Sequence, residues 1–393
     1  MLFRSNKPLP DGVFIGLDMQ RYVRDRALSG SGFAKLNLNA PDWQFEHEDN
    51  LLWKRAESPY RNTGTLLHVP LFEGMAAYES RYCIAPKREE HADAIETATD
   101  AARWIEKRNA ALSAPGFAGL TAHQAAPYFH KNGNFKGIAK SGSKEELFAR
   151  IGDHCQDCGI AAPTFWEDVL FDHAKGREII SEDDDAAVRL AFAVLDGHPV
   201  YSKLITGGLP EVTIVYTDDD GVRFKCRLDY LKAHAIVDGK SFGRVSPRGL
   251  LKGFLADMIA HGCDMQAVHQ VECVEQAVAR DLPIVVCEPG EPSRFYEDKT
   301  IAKEVRALLE GPKRFVWLGV RVNGGAAALA VAFDNDTLVF GAAQQKVAAA
   351  VETFKKYRDA FGGIDTPWIR SLGLVEPDIS EWPMYATEVP NHD

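Results

Sequence analysis

The sequence has no long apolar run. None of its hydrophobic stretches approaches the roughly 20 residues that a membrane-spanning helix needs. The opening MLFRSNKPLPDGVF has no apolar segment of the kind that directs secretion. Also missing is the Gly-x-x-x-x-Gly-Lys-Ser/Thr loop that cradles nucleotide phosphates, which argues against an ATP-driven motor and against any need for ATP. Asn323-Gly324-Gly325 is a hairpin turn and not a phosphate loop. Cysteine is sparse: seven in 393 residues, at positions 83, 155, 158, 226, 263, 273 and 287. The odd number, mostly within apolar stretches, speaks for reduced thiols in a cytoplasm rather than a disulfide framework. Cys155 and Cys158 have metal-ligand spacing but no second pair or matching histidines, so two unpaired thiols are expected. Positive charge is not in excess either. The formal net charge of -11 argues against a passive coat for nucleic acid, though an enzyme can keep a local basic surface within an acidic total.

What is present is ordinary for a soluble globular chain: 46% hydrophobic and 26% charged residues. No repeat or low-complexity linker divides it, so one domain over 1–393 is expected. Within it, a mostly helical part spans 1–200, a core 205–360 and an irregular tail 361–393. Asp18 can cap a short helix through Arg24, helical periodicity runs over 92–112, and a further helix begins near Lys144. Residues 211–217 alternate as a strand, Asp218-Asp219-Asp220-Gly221 is a hairpin turn, and strands follow at 222–229 and 231–238. Helices at about 248–261 and 264–280, strands at 283–287, 314–321 and 327–334, and a helix at 342–360 complete the pattern. The fold class is therefore α/β, with a mixed central β-sheet flanked by helices.

Three side chains in the middle of this pattern carry chemistry. Asp229 and Asp238 close two consecutive predicted strands, which as neighbours would bring their carboxylates together. Lys240 stands two residues after Asp238, on the same face of an extended chain. Paired carboxylates hold hard divalent cations, and a nearby ammonium can orient or help deprotonate a water and screen phosphate charge. Gly239 leaves room for its carbonyl to approach such a cation. Alone, Asp-x-Lys is short and also fits a turn with two solvated charges.

The wider context resembles one group: the exodeoxyribonuclease VIII (RecE-type) exonucleases and their phage-encoded relatives, within the PD-(D/E)xK nuclease superfamily. The resemblance runs in order through Gly16-Leu17-Asp18 with Tyr22, Leu28-Ser29-Gly30-Ser31-Gly32-Phe33-Ala34-Lys35-Leu36, and Gly64-Thr65-Leu66-Leu67-His68. It continues through Tyr82-Cys83-Ile84-Ala85-Pro86, Glu211, the two aspartates with the lysine, and Gln266. It implies a PD-(D/E)xK restriction-endonuclease-like core with an elaborated helical N-terminal region. It implies a Mg2+ site, with Mn2+ able to substitute, on His68, Asp229 and Asp238, and Lys240 as the catalytic lysine. Glu211 would coordinate through water or merely start a strand, and Gln266 would bond the water or a phosphate oxygen, or be a plain helix-surface amide. His68 could otherwise be a helix histidine bonded to a carbonyl. The family often carries a tyrosine four residues after the glutamine; Gln270 stands there, which puts DNA contacts on that face in question.

The implied activity is hydrolysis of double-stranded DNA from free ends, 5′ to 3′, for recombination, in the cytoplasm of a bacterial or phage-infected cell. The implied assembly is a ring-shaped homo-oligomer such as a tetramer, with a single-strand annealing protein as a partner. Arg227, Arg244, Arg248 and Lys252 would then line a basic channel. No iron–sulfur cluster is expected, because Cys263, Cys273 and Cys287 are widely spaced and no cysteine follows. Two rivals share the pattern: an endonuclease or phage-defence nuclease, and a non-catalytic recombination scaffold.

Overall fold

The computed structural model describes residues 7–47, 50, 63–114, 116, 119–243, 246–247, 249–288, 295–321 and 327–370. Among them the strands are β1 (Gly12–Ile15), β2 (Tyr82–Ile84), β3 (Glu178–Ile180), β4 (Leu209–Thr217), β5 (Arg223–Leu231), β6 (Ala235–Phe242), β7 (Ile284–Cys287), β8 (Phe295–Tyr296), β9 (Arg314–Arg321) and β10 (Ala327–Phe333). Eight of these form one mixed sheet in the order β10-β9-β6-β5-β4-β1-β7-β8, while β2 and β3 pair in parallel on their own. The chain divides into two compact units: Met1–Met75 with Ala187–Asp393, and Ala76–Ala186.

The first unit holds the large sheet. The β4–β5 hairpin forms where the sequence alternates, and its Asp-Asp-Asp-Gly turn closes with the amide of Asp218 donating to the carbonyl of Val222 at 2.9 Å. Gly221 supplies the positive φ of 72° that this turn requires. Alternate residues of the hairpin, Val212, Ile214 and Tyr216 with Phe224, Cys226 and Leu228, are buried in the main core. Buried side chains of the helices Gly30–Phe45, Cys263–Ala279 and Leu338–Ala360 belong to the same core, so these helices are held by burial rather than propensity. β1 lies between β4, antiparallel, and β7, parallel, so a segment of the first fifteen residues sits inside the sheet.

The structure departs from the sequence reading at the decisive strands. Asp229 and Asp238 do not end their strands: β5 continues to Leu231, and β6 begins only at Ala235. The turn between them is Lys232-Ala233-His234, closed by the amide of Lys232 donating to the carbonyl of Ala235 at 2.8 Å. The helix Thr63–Phe72 runs through Pro70, a residue type that usually ends or kinks a helix.

The second unit is built mainly of helices, with a core of its own from Ile105, Leu112, Leu147 and Ile151. Its helices Ala98–Ser113 and Lys144–Cys158 start with reciprocal capping boxes, Thr97 with Asp100 and Ser143 with Glu146. Among the described residues no helix is long and apolar enough to cross a membrane.

Candidate active site

A fork in the sheet creates the site. β5 and β6 pair at only two positions, Leu231↔Ile236 and Tyr230↔Val237. The next residues along that register are Asp229 and Asp238, and there the strands part: β6 continues in parallel register with β9, while β5 stays with β4. The Asp229 side chain fills the gap, its Oδ2 accepting the backbone N–H of Gly239 at 2.9 Å. Two carboxylates thus enter one opening from rigid backbone on either side.

Around them the charges are ordered. The Lys240 ammonium lies 2.8 Å from Oδ2 of Asp238, a side chain with no solvent exposure. That oxygen is buried and makes no hydrogen bond of good geometry despite the close ammonium. Gln266 donates its amide to the other oxygen, Oδ1, at 3.4 Å. Nδ1 of His68 stands 3.4 Å from Oδ2 of Asp229. Burial pushes the Asp229 carboxyl up to about 6; the nearby His68 opposes this and Asp238 adds to it. Burial works against the Lys240 ammonium, but Asp238 and Asp229 outweigh it and hold its pKa above the ordinary lysine value. Lys240 is therefore a cation at neutral pH.

His68 is carried to the site by packing. Its helix lies on β6 and β5, where the Phe72 ring stacks on Tyr230 with centroids 5.3 Å apart. A Cβ on Gly239 would come within 3.0 Å of the Phe72 ring and 3.7 Å of His68 Nε2. Gly239 thus serves the approach of the His68 helix, a use that its place between Asp238 and Lys240 in the sequence did not suggest. Gly30 plays the same part for Gln266, since a Cβ there would lie 2.9 Å from the Cα of Gln266.

Glu211 and Arg227 form an ion pair beside the fork. Glu211 has the left-handed φ of 57° inside β4, between the paired residues Pro210 and Val212, and is a strained non-glycine position. Arg227 also donates to the carbonyl of Leu17 at 2.8 Å and lies over the Tyr22 ring, so its guanidinium is held within the fold. Lys252 is exposed on the helix Leu250–Ala260, and Arg244 and Arg248 lie outside the described residues. Gln270 is buried, its amide donating to the carbonyl of Arg227 at 3.3 Å. Sequence reasoning missed that the alternate residues Arg223, Lys225 and Arg227 anchor the N-terminal segment to β5. Their period of two was the available signal.

Comparison with known proteins adds little. No protein-family model matches the sequence, and no curated protein matches it. Among solved structures, a candidate exonuclease from Eubacterium rectale is similar over 87% of this chain and 88% of its own, at 10% identity and a TM-score of 0.41.

The donor set suits a hard divalent cation in kind: two carboxylates and an imidazole, with one buried carboxylate oxygen lacking a well-formed hydrogen bond. Among the described residues no three such side chains already stand in metal-holding geometry.

Proposed function

We propose that this chain is a divalent-metal-dependent nuclease of the PD-(D/E)xK kind that hydrolyses double-stranded DNA from its ends, in the RecE manner, 5′ to 3′. The observation that supports it is the meeting of His68, Asp229, Asp238, Lys240 and Gln266 at one fork of the sheet. Asp229, Asp238 and His68 would hold Mg2+ or Mn2+, which supplies an activated water and offsets charge on the phosphate. Lys240, kept protonated by its two carboxylates, acts as a fixed positive charge for the phosphate oxygens and not as a base. Gln266 holds the orientation of Asp238 through Oδ1. Glu211 is tied to Arg227, and so stands beside the metal ligands rather than among them. A ring-shaped homo-oligomer and an annealing partner belong to the same proposal, as does a cytoplasmic setting.

The test is metal binding and cleavage together. Mn2+ at 100 times its dissociation constant should stabilise the wild type by about 2.7 kcal/mol. Asp229→Asn should lose both that stabilisation and the release of nucleotides from linear duplex. A protein that binds neither ion and leaves DNA intact is not this enzyme.

A further inference from the structure

The helix Cys263–Ala279 has a second face that the proposed reaction does not use. At about 100° per residue, Val268, Val271, Glu272 and Glu275 lie on the side away from Gln266. They form one wall of a cavity of about 680 Å³. The helix Leu338–Ala360 forms the opposite wall, through Phe340, Val347, Val351 and Glu352. The β4–β5 hairpin closes one end with Tyr216, Phe224 and Asp218. Such a volume falls within the size range of ligand clefts.

Its chemistry is lopsided. The floor is apolar, and the rim carries the carboxylates of Asp218, Glu272, Glu275 and Glu352. Arg280, the cation of the lining, is already committed to Asp219 and lies over the Tyr216 ring. Glu272 is half-buried beside Glu275 and Asp218, with no ion pair among the described residues. Burial pushes its carboxyl pKa up, and those two like charges push it further. A half-buried carboxylate without a cation destabilises the fold, and its presence in a cleft points to a ligand. Glu352 is paired with Lys355 at 3.1 Å, but the carboxylates of Asp218, Glu272 and Glu275 make the rim unfavourable for the phosphates of DNA.

The lining is apolar as well as acidic: Val268, Val271, Phe340, Val347 and Val351 border the same space as the carboxylates. A small cation would leave that apolar surface in water. An amphipathic segment of another protein, with apolar side chains beside lysine or arginine, would cover it and neutralise the rim.

We propose that the cleft between the helices Cys263–Ala279 and Leu338–Ala360 is a docking site for a basic amphipathic segment of a partner protein. The site is independent of the metal centre and stands whether or not the chain cleaves DNA.

The probe is a fluorescent 14-residue amphipathic peptide of leucine and lysine, with a glutamate-for-lysine version and spermine as comparators. Binding to the full chain is followed by anisotropy at low and moderate salt. The double variant Glu272→Gln/Glu275→Gln should weaken the basic peptide at least tenfold. The exposed pair Glu297→Gln/Glu304→Gln should change it less than twofold, and the acidic peptide should not bind. Glu272→Gln alone should raise the melting temperature, because it removes an unfavourable charge. That rise separates lost binding from lost folding. Equal weakening by both double variants would reduce the effect to general charge and overturn the proposal. Spermine displacing the peptide fully at similar concentration would overturn the choice of a protein segment.

Discussion

At the residue scale the site depends as much on two glycines as on its charged groups. Gly239 faces the Phe72 ring, which cannot swing aside freely because it is stacked on Tyr230. Gly239→Ala should therefore push the helix of His68 away from Asp229. The expected result is a metal affinity at least tenfold weaker with stability lowered by about 1 kcal/mol, within the range for overpacking. Calorimetric titration with Mn2+ beside a thermal melt checks it. Unchanged affinity would mean that His68 does not contribute to the site. The charges themselves were legible from type and spacing: Asp229, Asp238 and Lys240 meet as their positions suggest. Arg227 shows what spacing cannot reveal. Its partners are Glu211 on the adjacent strand and the carbonyl of Leu17, 210 positions away, and nothing local marks it as tied down.

At the scale of elements, the row of cations on β5 does structural work that resembles ligand binding in the sequence. The Lys225 ammonium is buried, donates to the carbonyls of Tyr22 and Asp25, and lies over the Tyr22 ring at 4.6 Å. Lys225→Met keeps the volume and removes the donor. Each orphaned buried carbonyl costs about 1–3 kcal/mol, so urea unfolding should show a loss of about 2 kcal/mol or more. A loss under about 0.5 kcal/mol would mean that this anchor contributes little. The β4–β5 hairpin was readable because alternation and an Asp-Gly turn agree. The shift of β6 was not, because Lys232-Ala233-His234 contains no glycine, proline or asparagine and its apolar pattern runs on smoothly. The four residues of β1 are too few for periodicity, and only their neighbours β4 and β7 make them a strand.

At the scale of the whole molecule, acid should destabilise the metal-free protein before its ordinary surface carboxylates are titrated. Burial holds the fully buried His269 down to about 4, and His47, also pressed down mainly by burial, sits at about 4 as well. Both are neutral in the fold, so their stabilisation is complete above the unfolded value of about 6.5 and is lost as pH falls toward 4. For His269 alone the shift corresponds to about 3 kcal/mol. Asp229 works in the opposite sense: its raised pKa of about 6 favours the folded state as pH falls from there toward 4. Burial also raises the Glu272 carboxyl and lowers His154, so three histidines stand against two carboxylates, and melting temperatures between pH 7 and 4.5 should fall. His269→Asn, weaker at pH 7, should show the shallower slope; an equal slope would remove His269 as the cause.

The proposed cleavage of phosphodiester bonds belongs to the fork between β5 and β6. Its most direct test is digestion of end-labelled linear duplex beside a covalently closed circle, with Mg2+ and with chelator, by the wild type and by Lys240→Ala. The expected result is Mg2+-dependent loss of label from the linear DNA alone, reduced at least a hundredfold by the substitution. Intact linear DNA with the wild type, or equal cleavage by Lys240→Ala, would contradict it.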